Sequence, residues 1–296
     1  MKKIISFIKS LIFDPLNSKP FIIFSRHYYG NLSGMKQNLY GNFHLSITRF
    51  LSFYKNFKIH YRNWNSSRTL KNHGFVSFNV NKKLISNIDK INLKIKEIEK
   101  EKKFNKNSLK LFDKNDLQSV WPEIASLFDS DITQIIRAYY RSNFKISDVS
   151  VRHTFFIKNR NPKKEYYSDF WHNDSSPSSN LSIFVLLKDT FIKNGPMQII
   201  NKNDSKHFVR KGYKSRSMNA FWTTINNCQS KVSFTGNKGK ILIANVSDCL
   251  HRATSPKPNN ERLMLVAHTF PVLGKLDKES FSQSWIYNFT HKRKVS

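Results

Sequence analysis

At 296 residues the chain has room for one large domain with extensions, or for two small ones, and enough material to bury a core. A hydrophobic fraction of 39% with 14% aromatics excludes a disordered chain, and two cysteines, Cys228 and Cys249, exclude a disulfide framework or a cysteine-based zinc site. The formal charge of +30 matches the footprint of phosphate binders, yet Lys and Arg are spread along the whole chain, without a zinc finger, helix-turn-helix or RNA-binding aromatic pattern. No specific nucleic-acid partner is therefore expected. What the charge does imply is attraction to anions, whether acidic substrates, anionic lipid surfaces or non-specific polyanions.

At the N-terminus, Met1-Lys2-Lys3 precedes Ile4, Ile5, Phe7, Ile8, Leu11 and Ile12, which recur at helical spacing around Lys9. No small-residue cleavage site follows, so a secretory signal is not expected. No apolar run approaches the ~18 residues of a membrane span. The expected location is cytoplasmic, with reduced thiols. Two readings of residues 4–13 stay open: peripheral contact with an anionic membrane, or a short helix docked on the body of the protein. Residues 14–70 show no clear period, so 1–70 reads as a basic, irregular extension, partly helical around 45–53.

Residues 73–80 read as a strand entering the main domain. An amphipathic helix is expected over 83–103, with Leu84, Ile85, Ile88, Ile91, Leu93, Ile95 and Ile98 on its apolar side. Two more helices are expected over 116–128 and 130–142. From 149 the pattern changes to short strands: 149–157, 168–174, 181–189, 195–200, 230–234, 239–246 and 261–270, rich in β-branched and aromatic residues and separated by Asn, Gly, Pro, Ser or Lys. Helices followed by many short strands predict an α+β, mainly β, domain over 71–280. The expected architecture is a jelly roll with flanking N-terminal helices, followed by a tail at 281–296.

Residues two apart on a strand face the same side, so His172 and Asp174 offer an imidazole and a carboxylate together. A His-x-Asp doublet recurs by chance, and its context decides. His251 follows the 239–246 strand beside a turn at Ser247-Asp248 and is the candidate third ligand. Two histidines and a carboxylate on one face of an octahedral ion leave the other face open, as non-haem Fe(II) oxygenases require. Arg262 heads the last strand. Alone it reads as a surface arginine; with its strand beside His251, its planar fork suits a cosubstrate carboxylate.

These residues carry a resemblance. His172-Asn173-Asp174, the 181–187 strand, Asn194-Gly195-Pro196-Met197, Cys249-Leu250-His251-Arg252-Ala253 and Arg262 stand in an order that resembles the phytanoyl-CoA dioxygenase-like branch of Fe(II)/2-oxoglutarate oxygenases. His153 to Lys158 is similar to that family's strand lining the cosubstrate pocket. The resemblance spans about 73–270 and implies a double-stranded β-helix, cupin-like in its general form. It implies iron bound by His172, Asp174 and His251, and the distal carboxylate of 2-oxoglutarate bound by Arg262, with Phe155 and Leu186 lining that pocket. The activity it implies is hydroxylation of a C–H bond of a small-molecule substrate with O2 and 2-oxoglutarate, releasing succinate and CO2. The related halogenating enzymes lack the carboxylate ligand, so Asp174 favours a hydroxylase or a desaturating variant. Where the family often has Pro-Gly-Ser-His, this chain has Asn201 to His207, a departure in the loop rather than in the metal site.

Phe170 and Trp171 read first as packing that dries the site, Asp248 and Cys249 as turn and core residues, and His153 and His268 as core histidines. Lys206, Arg210, Lys211, Lys214 and Arg216 read as a solvated loop. Covering the pocket, they would favour a phosphorylated, carboxylated or carrier-linked substrate. Two rival classes remain: a non-catalytic or differently metallated cupin-like binding protein, and a basic nucleic-acid- or membrane-associated protein. A cupin of the first kind would usually bring further His or Glu ligands near the first doublet, and 175–194 has none.

Overall fold

Alternation along three strands divides the interior into two apolar layers. The computed structural model describes residues 45–46, 49–50, 64–101, 111–128, 130–161, 163–174, 180–216, 221–272, 276 and 278–283. Helix α1 (Trp64–His73) leads into strand β1 (Phe75–Asn79), followed by helices α2 (Ile85–Glu101), α3 (Lys114–Ser119), α4 (Trp121–Ser126) and α5 (Ser130–Tyr140). Strands β2 (Asn143–Phe155), β3 (Leu181–Leu186) and β4 (Gln198–Ile199) come next, then helices α6 (Lys202–Arg210) and α7 (Phe221–Asn226). Strands β5 (Val232–Ser233), β6 (Lys240–Ala244), β7 (His251–Arg252) and β8 (Glu261–Val272) complete the order. One sheet runs β1-β6-β3-β8-β2 and the other β5-β4-β7, with every pairing antiparallel. Sheet neighbours are distant in sequence, so the chain passes repeatedly between the sheets. The result is a jelly-roll, or double-stranded β-helix, arrangement with flanking helices.

Successive strand residues face opposite sides. On β3, β6 and β8 the odd-numbered Ile183, Val185, Ile241, Ile243, Leu263 and Leu265 pack with Ile88, Ile91, Ile95 and Ile98 of α2. Those four isoleucines are spaced three, four and three apart, which puts them on one helix face. Each is at most 2% exposed, worth ~1.5–3 kcal/mol of burial apiece. The even-numbered Phe184, Leu186, Leu242, Met264 and Val266 form the second layer with Met197 and Ile199 from beside and within β4. Because both faces are covered, these strands read as nearly continuous apolar runs.

Several boundaries differ from expectation for local reasons. The helix expected over 83–103 begins as a 3-10 turn, Lys82–Leu84, capped by the Asn81 side chain, and α2 follows to Glu101; residues 102–103 lie outside the described residues. Leu93 is 59% exposed, since it falls off the face defined by Ile91 and Ile95. The helix expected over 116–128 is two helices, parted at Val120 just before Pro122, whose ring cannot continue the hydrogen-bond ladder. The first starts early because Asp113 and Asp116 form a reciprocal capping box. Helix α5 stops at Tyr140, where Arg141 takes φ 52°. Strand β2 begins at Asn143 rather than at 149. The strand expected over 168–174 is reduced to a single bridge between His172 and His251. The stretch expected to be a loop at 202–210 is α6, with Asn201 as its N-cap.

Helix α1 crosses the 70/71 composition boundary and buries Leu70 completely. Phe281 likewise packs its ring against Phe128 and Phe144, so the packed body reaches past both ends of 71–280. The apolar stretch 4–13 lies outside the described residues. Of the helix expected around 45–53, residues 45–46 and 49–50 are described and are helical. No helix among the described residues is long and apolar enough to cross a membrane.

Candidate metal centre

The single bridge between distant segments builds the centre. The His172 N–H donates to the His251 carbonyl at 3.0 Å, and the His251 N–H to the His172 carbonyl at 2.8 Å. Directly opposed residues of an antiparallel pair project to one side, and the two imidazole centroids lie 4.2 Å apart. Two residues on, the Asp174 N–H donates to the Val246 carbonyl, and its Oδ1 stands 3.7 Å from His172 Nε2 and 3.8 Å from His251 Nε2. One donor atom from each of the three side chains falls within 4.8 Å of the others. No other such group of His, Cys, Asp or Glu occurs among the described residues.

Hydrogen bonds orient both rings. His172 Nδ1 donates to the Phe170 carbonyl at 2.7 Å and His251 Nδ1 to the Cys249 carbonyl at 3.1 Å. This tautomer leaves each Nε2 as a lone-pair donor, the usual way an outer partner prepares a metal-binding imidazole. Burial, reinforced by the facing His251 ring, pushes His172 down to about 3, and burial also lowers His251. Both rings are therefore neutral at physiological pH and need lose no proton to bind a cation. Burial alone would raise Asp174, but the positive charge that His251, His172, His268 and Arg216 present in the acid range outweighs it and holds the carboxyl below its ordinary value. Two neutral nitrogens and a carboxylate are a donor set that could hold a divalent metal ion and is consistent with non-haem iron chemistry.

The three residues line a cavity of about 150 Å³ with Arg152, Thr154, Tyr167, Met197 and Arg262. A single water needs ~10–15 Å³, so there is room for a small organic molecule. Arg262 is 4% exposed and stands in register opposite Thr154 of β2. Its Nη2 donates to Thr154 Oγ1 at 3.2 Å, its Nη1 donates to the Gly195 carbonyl, and its Nε is buried without a partner. Burial lowers this guanidinium to about 10, with Tyr167 opposing the shift, so it stays cationic near neutral pH. A buried cation with an unspent donor fits an anionic occupant.

The Asn194-Gly195-Pro196-Met197 segment holds this arrangement. Gly195 takes φ 68°, and an added Cβ would lie 2.4–2.6 Å from the backbone of residues 254–256, an approach only glycine allows. Asn194 Nδ2 donates to the Glu261 carbonyl, the Pro196 carbonyl accepts from Thr254 Oγ1, and Met197 lines the cavity.

Two expected pocket residues fall elsewhere. Thr154 faces the cavity, so Phe155 faces the other side of β2, stacking edge-on with His153 and lining a separate cleft with Lys188 and Glu261. Leu186 belongs to the second apolar layer with Phe184 and Met264 but is fully buried within it and does not border the cavity. The residues that do line it beyond the expected set include Arg152, Thr154, Phe184, Met264, Val266 and His268. Parity from Arg262 would have found Met264, Val266 and His268; Arg152 and Thr154 require the β2–β8 register. His268, expected as a core histidine, lines the cavity and bonds Ser182 Oγ through Nδ1 at 2.8 Å. His153 lies on the outer face between Glu99 and Glu261. Trp171 is fully buried among Ile200, Phe208 and Leu250. The Lys202 ammonium pairs with the buried Asp248 carboxylate at 2.7 Å, which braces the turn before His251.

No protein-family model and no curated protein matches this chain. Solved structures do share its fold. The non-haem α-ketoglutarate-dependent epimerase SnoN from nogalamycin biosynthesis is 12% identical, with TM-score 0.50, over 70% of this chain and 82% of that one. The same epimerase in complex with Fe3+, α-ketoglutarate and nogalamycin RO gives TM-score 0.51 at 12% identity, over 70% and 83% of the two chains. HygX from Streptomyces hygroscopicus, with nickel and 2-oxoglutarate bound, is 10% identical with TM-score 0.51, over 70% of this chain and 86% of that one. At these identities the likeness is one of fold.

Proposed function

We propose that this chain is an Fe(II)- and 2-oxoglutarate-dependent dioxygenase of the phytanoyl-CoA dioxygenase-like kind that its motifs resemble, hydroxylating a C–H bond of a small molecule. The observation that carries the reading is one cavity lined by two imidazoles, a carboxylate and a buried arginine with an unbonded Nε. His172, Asp174 and His251 would hold the iron through Nε2, a carboxylate oxygen and Nε2, leaving the opposite positions for cosubstrate and O2. Arg262, positioned by Gly195 and Thr154, would take the distal carboxylate of 2-oxoglutarate. When bound, iron and 2-oxoglutarate supply the oxidising power, with succinate and CO2 as coproducts. Phe184, Met197, Met264 and Val266 give the cavity an apolar wall that excludes water from the reacting groups. The bound ligands of SnoN and HygX lend support from proteins of the same fold. We assign this activity to a domain over about 71–280, with a basic extension before it and a tail after it, in a cytoplasmic protein.

Anaerobic Fe(II) titration tests the reading. The expected result is one site per chain and a metal-to-ligand absorption band that appears only on adding 2-oxoglutarate, followed by succinate release when air and substrate are admitted. Tight metal binding with no such band would overturn it in favour of a cupin-like binding protein.

A further inference from the structure

We infer that the substrate of this cavity is an anion, carrying a carboxylate or phosphate group that Arg152 recognises at the cavity mouth; the inference rests on the oxygenase reading above. Among the described residues lining the cavity, Asp174 is the sole acid, against Arg152, Arg252 and Arg262. A divalent ion, the Asp174 carboxylate, a doubly charged 2-oxoglutarate and the Arg262 guanidinium cancel one another. Two arginines remain.

They are not equivalent. The Arg252 guanidinium lies over the rings of Trp171 and Trp222, at 4.9 and 5.1 Å, while its Nε donates to Gln198 Oε1 at 3.0 Å. Although it borders the cavity, its guanidinium is committed to the two indoles and to Gln198. Arg160 and Arg216, nearby on the same side, pair with Asp169 and Glu165. Arg152 is exposed. Its Nε donates to Ser150 Oγ at 3.2 Å, which aims the fork, and no carboxylate of the described residues pairs with it. Asp148, the next acid back along β2, stands in register with His268 and does not line the cavity. Glu261 is engaged by His153 and Lys188 outside the cavity. Segments 175–179 and 217–220, adjoining Asp174 and Arg216 in sequence, contain no acidic residue.

Register fixes where the spare charge sits. Arg152 opposes Met264, one same-face step from the Thr154–Arg262 pair, or roughly 7 Å along the sheet. A molecule entering beside a cosubstrate held at Arg262 would meet a second guanidinium at that distance, with the apolar Met264 and Val266 between the mouth and His268. A planar fork suits a carboxylate or phosphate. Of the basic residues that the sequence offers for covering the pocket, Lys206 borders a separate small cleft with Asn173, Ser247 and Asp248, and Arg216 is paired with Glu165.

The experiment titrates protein loaded with Fe(II) and saturating 2-oxoglutarate, without O2, with phenyl phosphate, phenylacetate and phenol in parallel arms, followed by absorption and calorimetry. One-to-one binding of an anionic probe but not of phenol, with affinity at least tenfold weaker in Arg152→Gln and partly restored in Arg152→Lys, supports the proposal. The tighter of the two anions then names the group. Lys96→Gln, which removes the same charge from α2 behind the sheet, should bind like the wild type; an equal loss there would mark general charge attraction and overturn the proposal. Binding unchanged in Arg152→Gln, or phenol binding as well as phenyl phosphate, would overturn it while leaving the oxygenase standing. Failure of the 2-oxoglutarate band itself would remove both. Thermal unfolding of each variant separates lost recognition from lost fold.

Discussion

His172 and His251, 79 residues apart in sequence, are joined backbone to backbone by two hydrogen bonds of 3.0 and 2.8 Å. Because main-chain atoms make the bridge, either imidazole can be removed without breaking it. His172→Ala, Asp174→Ala and His251→Ala should each lower Fe(II) affinity by more than the ~10–100-fold typical of losing an outer-shell partner, with little change in unfolding midpoint. Anaerobic titration of the folded variants is the check, and wild-type affinity in His251→Ala would sink the centre as drawn.

Arg262 offers a test of the cosubstrate site. Charge-assisted hydrogen bonds contribute ~1.5–3 kcal/mol, so Arg262→Ala should weaken 2-oxoglutarate by roughly 10- to 100-fold. Arg262→Lys should recover only part of this, because an ammonium lacks the planar fork. Calorimetry with 2-oxoglutarate on the Fe(II)-loaded protein measures it; equal affinity in wild type and Arg262→Ala would refute the role.

The turn before His251 depends on a buried ion pair. Asp248 Oδ2 accepts from Lys202 Nζ and from Asn245 Nδ2. Asp248→Ala leaves the half-buried ammonium uncompensated and should cost ~3–5 kcal/mol. Lys202→Met combined with Asp248→Leu should restore most of that. Urea unfolding decides it: a double variant no more stable than Asp248→Ala alone would contradict the account.

Glu261 gives a pH signature. The His153 hydrogen bond, against burial and aided by Lys188, lowers its carboxyl from 4.5 to about 2. A depressed folded-state value means that the stabilisation is complete above pH ~4.5 and disappears as pH falls towards 2. The stability gap between wild type and Glu261→Gln should therefore be constant from pH 5 to 6 and shrink between 4.5 and 2. Because the Glu261 side chain is 39% exposed, solvent screens the interaction and the gap should be small. A gap that widens with acid would show the sign to be wrong.

Much of the architecture is legible in the amino-acid sequence. The α2 face is readable from isoleucines spaced three and four apart, and the strands of the five-stranded sheet from apolar runs bounded by turn residues. Helix α6 was hidden because Lys202 to Arg210 is polar along most of its length and resembles the loops around it; its signal was the Asn201 cap. The break before Pro122 was readable in principle, since proline interrupts the ladder. The segment around His172 looks like a strand by composition, but among the described residues it forms one bridge, at His172, and one further backbone bond, from Asp174 to Val246.

The pairing of His172 with Asp174 in the candidate metal centre is local information, since residues two apart share a face in extended chain whatever the surroundings; the arrival of His251 beside them is not. The placement of Phe155 away from the cavity turns on a matter that is not local, because alternation says that Thr154 and Phe155 face opposite ways without saying which one faces inward. Only the β2–β8 register, set by closure of the whole sheet, turns Thr154 and Arg152 towards the cavity and brings Arg262 opposite Thr154 and Met264 opposite Arg152. Non-local strand pairing decides such a choice, since a shift of one residue exchanges the two faces at no cost to local preference.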